Sequence, residues 1–159
     1  MDLIGGVPMI CKRIFRLEKI KFYYYDKAEK ENVEDLYVLG YFSSREELDK
    51  AMLICKQYGI DGGELSVQEF LVEFAENQKF IYELSYEYSV LNADGQYVDY
   101  SYVFPPQRSR GRCLRLKTEL QKQKKYRPES RKIVDITTDD GFWTEKWCLN
   151  KLYNVVTIS

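Results

Sequence analysis

Leu36-Tyr37-Val38-Leu39-Gly40-Tyr41-Phe42-Ser43-Ser44-Arg45-Glu46-Glu47-Leu48 is the stretch that decides how this chain folds. Its first seven residues are mostly large, aromatic or β-branched, which suits a half-buried strand. Ser44 followed by Glu47 three residues later forms a capping box, in which each side chain satisfies an orphan amide at a helix start. Leu48, Ala51, Met52, Cys55 and Tyr58 then fall at i, i+3, i+4, i+7 and i+10, one stripe of a helix, and Gly59 is a natural residue to end it. Upstream, Ile14–Asp26 is rich in Ile, Phe and Tyr and reads as a strand. The polar stretch Lys27–Asp35 turns it into Leu36–Phe42 as a hairpin. Downstream of Asp61-Gly62-Gly63, Leu65–Phe74 reads as a strand or a short helix. The strand is preferred because it completes a β-β-α-β unit.

The second half repeats that order. Phe80–Val90 is strand-like, Asp94-Gly95 supplies the positive φ of a tight hairpin, and Gln96–Phe104 returns. Pro105-Pro106 ends that strand and suits the first turn of a following helix. Arg112–Tyr126 reads as that helix, with Cys113, Leu116 and Leu120 on one stripe and Pro128 beyond its end. Ile133–Thr137 is a β-branched run, and Asp140-Gly141 turns the chain into Phe142-Trp143-Thr144-Glu145-Lys146-Trp147. Leu48, Met52 and Tyr58 match Leu116, Leu120 and Tyr126 at a constant offset of 68 residues, as an internal duplication would. The expected fold is α+β: two consecutive β-β-α-β units of antiparallel sheet, each with one helix packed across it. The divisions read as an N-terminal extension over 1–13, a first unit over 14–78 and a second over 79–159.

The 159 residues include no histidine, which removes the commonest general base and zinc ligand. With 45% hydrophobic residues and 14 Tyr, 8 Phe and 2 Trp, the chain has ample material for a core and is not intrinsically disordered as a whole. Cys11, Cys55, Cys113 and Cys148 lie at least 35 residues apart, too far for a zinc knuckle or redox motif, and read as reduced thiols. Gly5-Gly6 and Gly62-Gly63 lack the Gly, Lys and Ser/Thr of a phosphate loop, and no Gly-x-Ser-x-Gly elbow occurs. Asp139 and Asp140, with Asp135 and Glu145 nearby, could hold a hard cation or act as paired carboxylates, but adjacent acids before Gly read first as a solvated turn. The expectation is no enzyme, no metal and no cofactor. Leu3–Cys11 is apolar but lacks a basic leading segment, and no run approaches a membrane span, so a cytoplasmic protein with no membrane partner is expected.

Charge is unevenly distributed. The total is -1, yet residues 1–78 sum to -5 and residues 79–159 to +4. Gln107–Lys132 alone holds 11 basic residues against Glu119 and Glu129. Arg108, Arg110, Arg112, Arg115, Lys122, Lys124, Lys125 and Arg127 are therefore candidate partner-binding residues. Trp143 is a candidate beside them, since exposed Trp and Arg dominate binding hot spots. Trp143 and Trp147 each read either as a core anchor or as such a hot spot. Three readings compete for the basic segment: a solvated helix face, a nucleic-acid contact that neutralises phosphates, and an acidic protein surface held through bidentate arginine bonds. The acidic remainder of the molecule would repel phosphate, which favours protein.

Leu39-Gly40-Tyr41-Phe42-Ser43-Ser44-Arg45-Glu46-Glu47-Leu48 also resembles a motif of small uncharacterised proteins of bacteria and their mobile elements. There a strand ends in Ser-Ser, Arg-Glu-Glu opens a helix, and a Trp-Thr-Glu-like tail closes the domain; Asp140-Gly141-Phe142-Trp143-Thr144-Glu145 resembles that tail. The similarity covers about a third of the chain. It implies an α+β fold and no catalytic residue. Together these readings point to a non-catalytic protein-binding module, such as an accessory or inhibitor protein of a mobile element (an anti-CRISPR is the concrete version) that docks on nucleic-acid-handling machinery. The alternative is an RNA- or DNA-binding module using residues 107–132.

Overall fold

The computed structural model describes residues 3–4, 7–26, 31–91, 94–126, 133–135 and 140–155, with backbone alone at 3–4, 7, 21–26, 31–35, 90–91, 97–100 and 133–135. The chain is α+β and divides into two units. Unit 1 is Met1–Phe80 with Trp147–Ser159, and unit 2 is Ile81–Lys146.

In unit 1, β1 (Leu3–Ile4) turns onto β2 (Val7–Asp26), which pairs antiparallel with β3 (Glu31–Phe42) on one side and β4 (Leu65–Ala75) on the other. The helix α1 (Arg45–Gln57) makes the crossover from β3 to β4, so these two strands run parallel to each other with β2 between them. Residues 1–13, read from the sequence as an extension, instead supply β1 and the first seven residues of β2. The pairing with β4 continues without a register shift from Lys19↔Leu65 to Met9↔Ala75, and that ladder stabilises the N-terminal end of β2. Leu65–Ala75 is a strand for the same reason.

Ser44 Oγ accepts from the Glu47 N–H at 3.2 Å, and α1 begins at Arg45. Leu48, Ala51 and Cys55 point into a core with Phe15, Leu17, Leu39 and Phe42, while Met52 packs at its margin. Tyr58, on the same stripe by spacing, is 49% exposed because the helix has ended at Gln57.

The sheet's other face holds Ile14, Arg16 and Glu18, all buried. Arg16 Nε donates to Glu18 Oε1 at 2.7 Å, the guanidinium lies 4.7 Å from the Phe70 ring centre, and Gln68 Nε2 donates to Glu18 at 3.2 Å. Burial alone would lower the Arg16 pKa, but Tyr41 and Glu18 hold it above its usual value. Tyr41 meets Trp147 edge-on at 5.6 Å, and Trp147 meets Tyr153 edge-on at 5.0 Å. Residues from Trp147 onward thus join unit 1, whereas the sequence reading placed them in a second unit over 79–159. Their path closes the outer edge of β3: Leu149 bridges Tyr41 in parallel, Asn150 N–H donates to the Tyr41 carbonyl at 2.8 Å, and Tyr153 N–H donates to the Leu39 carbonyl at 2.7 Å. Gly40 makes this approach possible, since a Cβ there would sit 2.5 Å from the Lys151 carbonyl oxygen.

Unit 2 has the same strand order. β5 (Phe80–Leu91) lies between β6 (Tyr97–Val103) and β7 (Ile133–Asp135), with α2 (Arg110–Leu120) in the crossover. β8 (Phe142–Cys148) also pairs with β5 and crosses the unit boundary at Trp147. The Pro105-Pro106 segment does not start the helix. Gln107 first exchanges two backbone bonds with Tyr82, at 2.8 and 2.9 Å, and Ser109 then caps α2 by accepting from the Arg112 N–H at 3.2 Å. The helix stops at Leu120, short of the expected Tyr126, and a 3-10 turn over Lys124–Tyr126 follows. Aromatic rings fill this core: Tyr126 meets Tyr86 and Phe104 edge-on at 5.5 Å, and Phe142 lies 4.8 Å from Tyr86. Gly141, at φ 83°, turns the chain beneath them, where a Cβ would come within 2.7 Å of the Tyr86 ring.

Candidate functional site

The eight basic candidates do not form one cluster. Arg108 is half-buried before the Ser109 cap, and Arg110, Arg112 and Arg115 are exposed on α2. No ion pair to those three arginines is present among the described residues. Cys113 is the buried anchor of α2, flanked by half-buried Leu116, Lys117 and Leu120. Arg112 and Arg115, three residues apart, project from the opposite side of the helix, and Arg110 sits on its inner flank. Leu114 of the same helix is 47% exposed.

The lysines are committed to unit 2 itself. Lys117 forms an ion pair with Asp140 and lies 5.9 Å from the Phe142 ring centre. Lys122 Nζ pairs with Glu119 at 3.0 Å within the following turn. Lys125 Nζ sits 4.5 Å over Tyr102 and 5.5 Å over Tyr126. Two of these lysines place their ammonium groups over rings of the aromatic core, and the third pairs with an acid in solvent. Lys124 is exposed and has a contact of its own, and Arg127 lies outside the described residues.

Trp143 and Trp147 lie four residues apart on β8, which strand alternation alone would put on one face, yet their burial differs. Trp143 is 40% exposed, whereas Trp147 is 6% exposed against Tyr41 and Tyr153. Trp147 is therefore core and Trp143 surface.

Asp140 is a structural turn residue. Its Oδ1 accepts from the Phe142 N–H at 3.0 Å and its Oδ2 from Gln121 Nε2 at 3.4 Å. Burial pushes this carboxyl up, but the Lys117 bond and charge and the Phe142 amide pull it below its usual value of 3.8. Asp139 lies outside the described residues, as does the Asp135 side chain. Among the described residues, no group of three or more His, Cys, Asp or Glu side chains is placed to hold a metal ion. The buried Cys113 thiol is raised to about 11 by burial and the nearby Glu83 charge, so it is a poor nucleophile at neutral pH.

Unit 1 offers a different feature, which the sequence did not reveal. A cleft of about 510 Å³ opens beside the β4–β5 turn, lined by Lys12, Phe74, Lys79, Phe80, Cys148 and Asn150 among others. Lys12 Nζ lies 6.0 Å from the Phe74 ring centre. Asn150 Oδ1 accepts from the Ser43 N–H at 2.8 Å, and its Nδ2 donates to Ser43 Oγ at 2.9 Å. The Ser43-Ser44 pair thus fastens the C-terminal segment with one residue and caps α1 with the next. No single periodicity could show this, because the cleft gathers residues from four separate stretches of chain.

Comparison with protein-family models, with curated proteins and with solved structures matches nothing to this chain. No helix among the described residues is long and apolar enough to cross a membrane.

Proposed function

We propose that this chain is a non-catalytic protein-binding module that engages an acidic partner surface through Arg112 and Arg115 on the outer side of α2, with Arg110 at the helix's N-terminal end. The observation that carries the reading is the division of labour among the cations. Lys117, Lys122 and Lys125 are held by Asp140, Glu119 and Tyr102, while the three arginines remain exposed. A guanidinium binds a carboxylate in a bidentate fork, so arginines left in water on a fixed helix suit an acidic surface. Trp143 supplies a separate exposed aromatic on β8. Direct nucleic-acid binding is the second reading, since arginines on a fixed helix also suit phosphates. Unit 1, with 12 basic and 15 acidic residues, would repel phosphate. The finer reading, an accessory or inhibitor protein docking on nucleic-acid-handling machinery, rests on the motif resemblance.

The test is partner capture by the full chain, with and without nuclease, beside a variant carrying Arg110→Glu, Arg112→Glu and Arg115→Glu. Capture that survives nuclease and is lost in the variant supports the proposal. Unchanged capture by the variant overturns it. A mobility shift of short duplex DNA with a log–log salt slope of about -2.7, the value for three phosphate contacts, would favour the nucleic-acid alternative.

A further inference from the structure

The cleft beside the β4–β5 turn belongs wholly to unit 1 and uses no residue of α2. At about 510 Å³ it has the size of a small-molecule site. Its walls are tied in place. The Leu149 N–H donates to the Lys79 carbonyl at 2.8 Å, Gln78 Nε2 donates to the Phe80 carbonyl at 2.6 Å, and Asn150 is joined to Ser43 at 2.8 and 2.9 Å. The charges inside it are not settled in the same way. Of the basic side chains described on β2, Arg13 pairs with Glu69, Arg16 with Glu18 and Lys19 with Glu64. Lys12 does not. It is half-buried in the cleft wall with its ammonium 6.0 Å from the Phe74 ring centre. Lys79 lines the same cleft from the turn, and no acidic side chain pairs with either lysine among the described residues. Glu76, the one acid of the lining, is exposed and leaves it with a charge of +1.

We propose that this cleft binds a small organic dianion, two acidic groups joined by a short apolar body, with Lys12 and Lys79 meeting the charged ends. A half-buried ammonium without an acid is stabilised by any anion that reaches it, and more strongly than it would be in open water. Two such cations in one cleft call for two negative charges. Phe74, Phe80 and Leu149 in the same lining call for carbon between them. Lysine is a compact point charge without the planar fork of arginine, so charge and size define the ligand class here, and a bidentate geometry does not. The site shares no residue with the arginine face of α2, and the two proposals stand or fall separately.

Titration of the isotope-labelled full chain with isophthalate tests this, beside the neutral isophthalamide and inorganic phosphate. Isophthalate should shift the amides of Ser43, Gln78, Lys79 and Asn150 with a dissociation constant of about 1 mM or tighter. It should also shield the half-exposed Cys148 thiol of the lining from alkylation, while Cys11, on the other face of β2 from Lys12, reacts as before. Isophthalamide lacks the charge and phosphate lacks the carbon, so each should bind at least about tenfold more weakly. Lys12→Met and Lys79→Met alter side chains in contact with water and should keep the wild-type circular dichroism, yet each should weaken isophthalate about tenfold. Glu76→Gln should hold or tighten it. No amide shift at about 10 mM, equal binding of isophthalamide, or wild-type binding by the Lys12→Met chain each overturns the proposal. Phosphate that binds as tightly as isophthalate overturns the organic body, and weaker binding by Glu76→Gln overturns the dianion.

Discussion

Arg16 and Glu18 face the same side of β2 and are joined at 2.7 Å while only 3% and 2% exposed, with Tyr41, Gln68 and Phe70 closing over them. Two charges so far from water are held by each other and by the surrounding dipoles, not by solvent. Removing one partner leaves the other buried and uncompensated. Glu18→Ala should therefore cost about 3–5 kcal/mol in a urea melt, and Arg16→Met with Glu18→Leu should recover most of that loss. A Glu18→Ala protein as stable as wild type would show that water reaches the guanidinium.

The two helix caps provide a smaller effect. Ser44→Ala and Ser109→Ala each remove one hydroxyl–amide bond of 3.2 Å and should each cost about 1 kcal/mol. Leu48→Ala opens the unit 1 core at a fully buried position and should cost about 2–5 kcal/mol. Denaturant melts in which the cap and core variants lose equally little would contradict this assignment of α1.

These elements also show what the sequence could and could not reveal. The α1 cap and stripe are local properties, readable from Ser44, Glu47 and the spacing of Leu48, Ala51 and Cys55. The start of α2 was less legible: it begins at Arg110, two residues before the expected Arg112, because its cap Ser109 has Arg112 three residues on where a capping box has an acid. The caps themselves place Ser44 on Ser109, an offset of 65, where the apolar stripes had suggested 68. The difference is nearly one helical turn, which a stripe repeating every three or four residues cannot resolve. Among the candidate site residues, the run of positive charge was plain. Which cations remained free was not, since the Lys117–Asp140 pair depends on how β8 returns beside α2.

That pair has a pH signature. The Asp140 carboxyl is depressed below 3.8, so its contribution is fully present above that value and is lost as pH falls through its lower folded-state pKa. Asp140→Asn should be less stable than wild type at neutral pH, and the gap should close in acid. A gap that stays constant from neutral pH into strong acid would mean that the charge on Asp140 does not contribute.

Thiol labelling separates the exposed Cys11 from the buried Cys55 and Cys113. Cys11 is exposed and should react with an alkylating reagent in the native protein. Cys55 and Cys113 are buried with raised pKa values and should react only on unfolding. Peptide mass spectrometry after a short pulse at pH 8 reads the result, and early modification of Cys113 would contradict its buried position on α2.

Gly40 admits no side chain. Gly40→Ala would drive a methyl group against the Lys151 carbonyl and should loosen the Leu149–Tyr153 segment from β3. Faster amide exchange at Asn150 and Tyr153, with little change in the unit 2 amides, is the expected readout. Unchanged exchange at Tyr153 would argue against the close approach.

The same segment imposes an order on events during synthesis. The residues that close the β3 edge and bring Trp147 to Tyr41 leave the ribosome after the whole of Ile81–Lys146. Unit 2 is continuous in sequence and can fold as it emerges, whereas unit 1, although begun first, must wait for residues 147–153. Until they emerge, the outer edge of β3 is unpaired, and a chaperone or another nascent copy can compete for it.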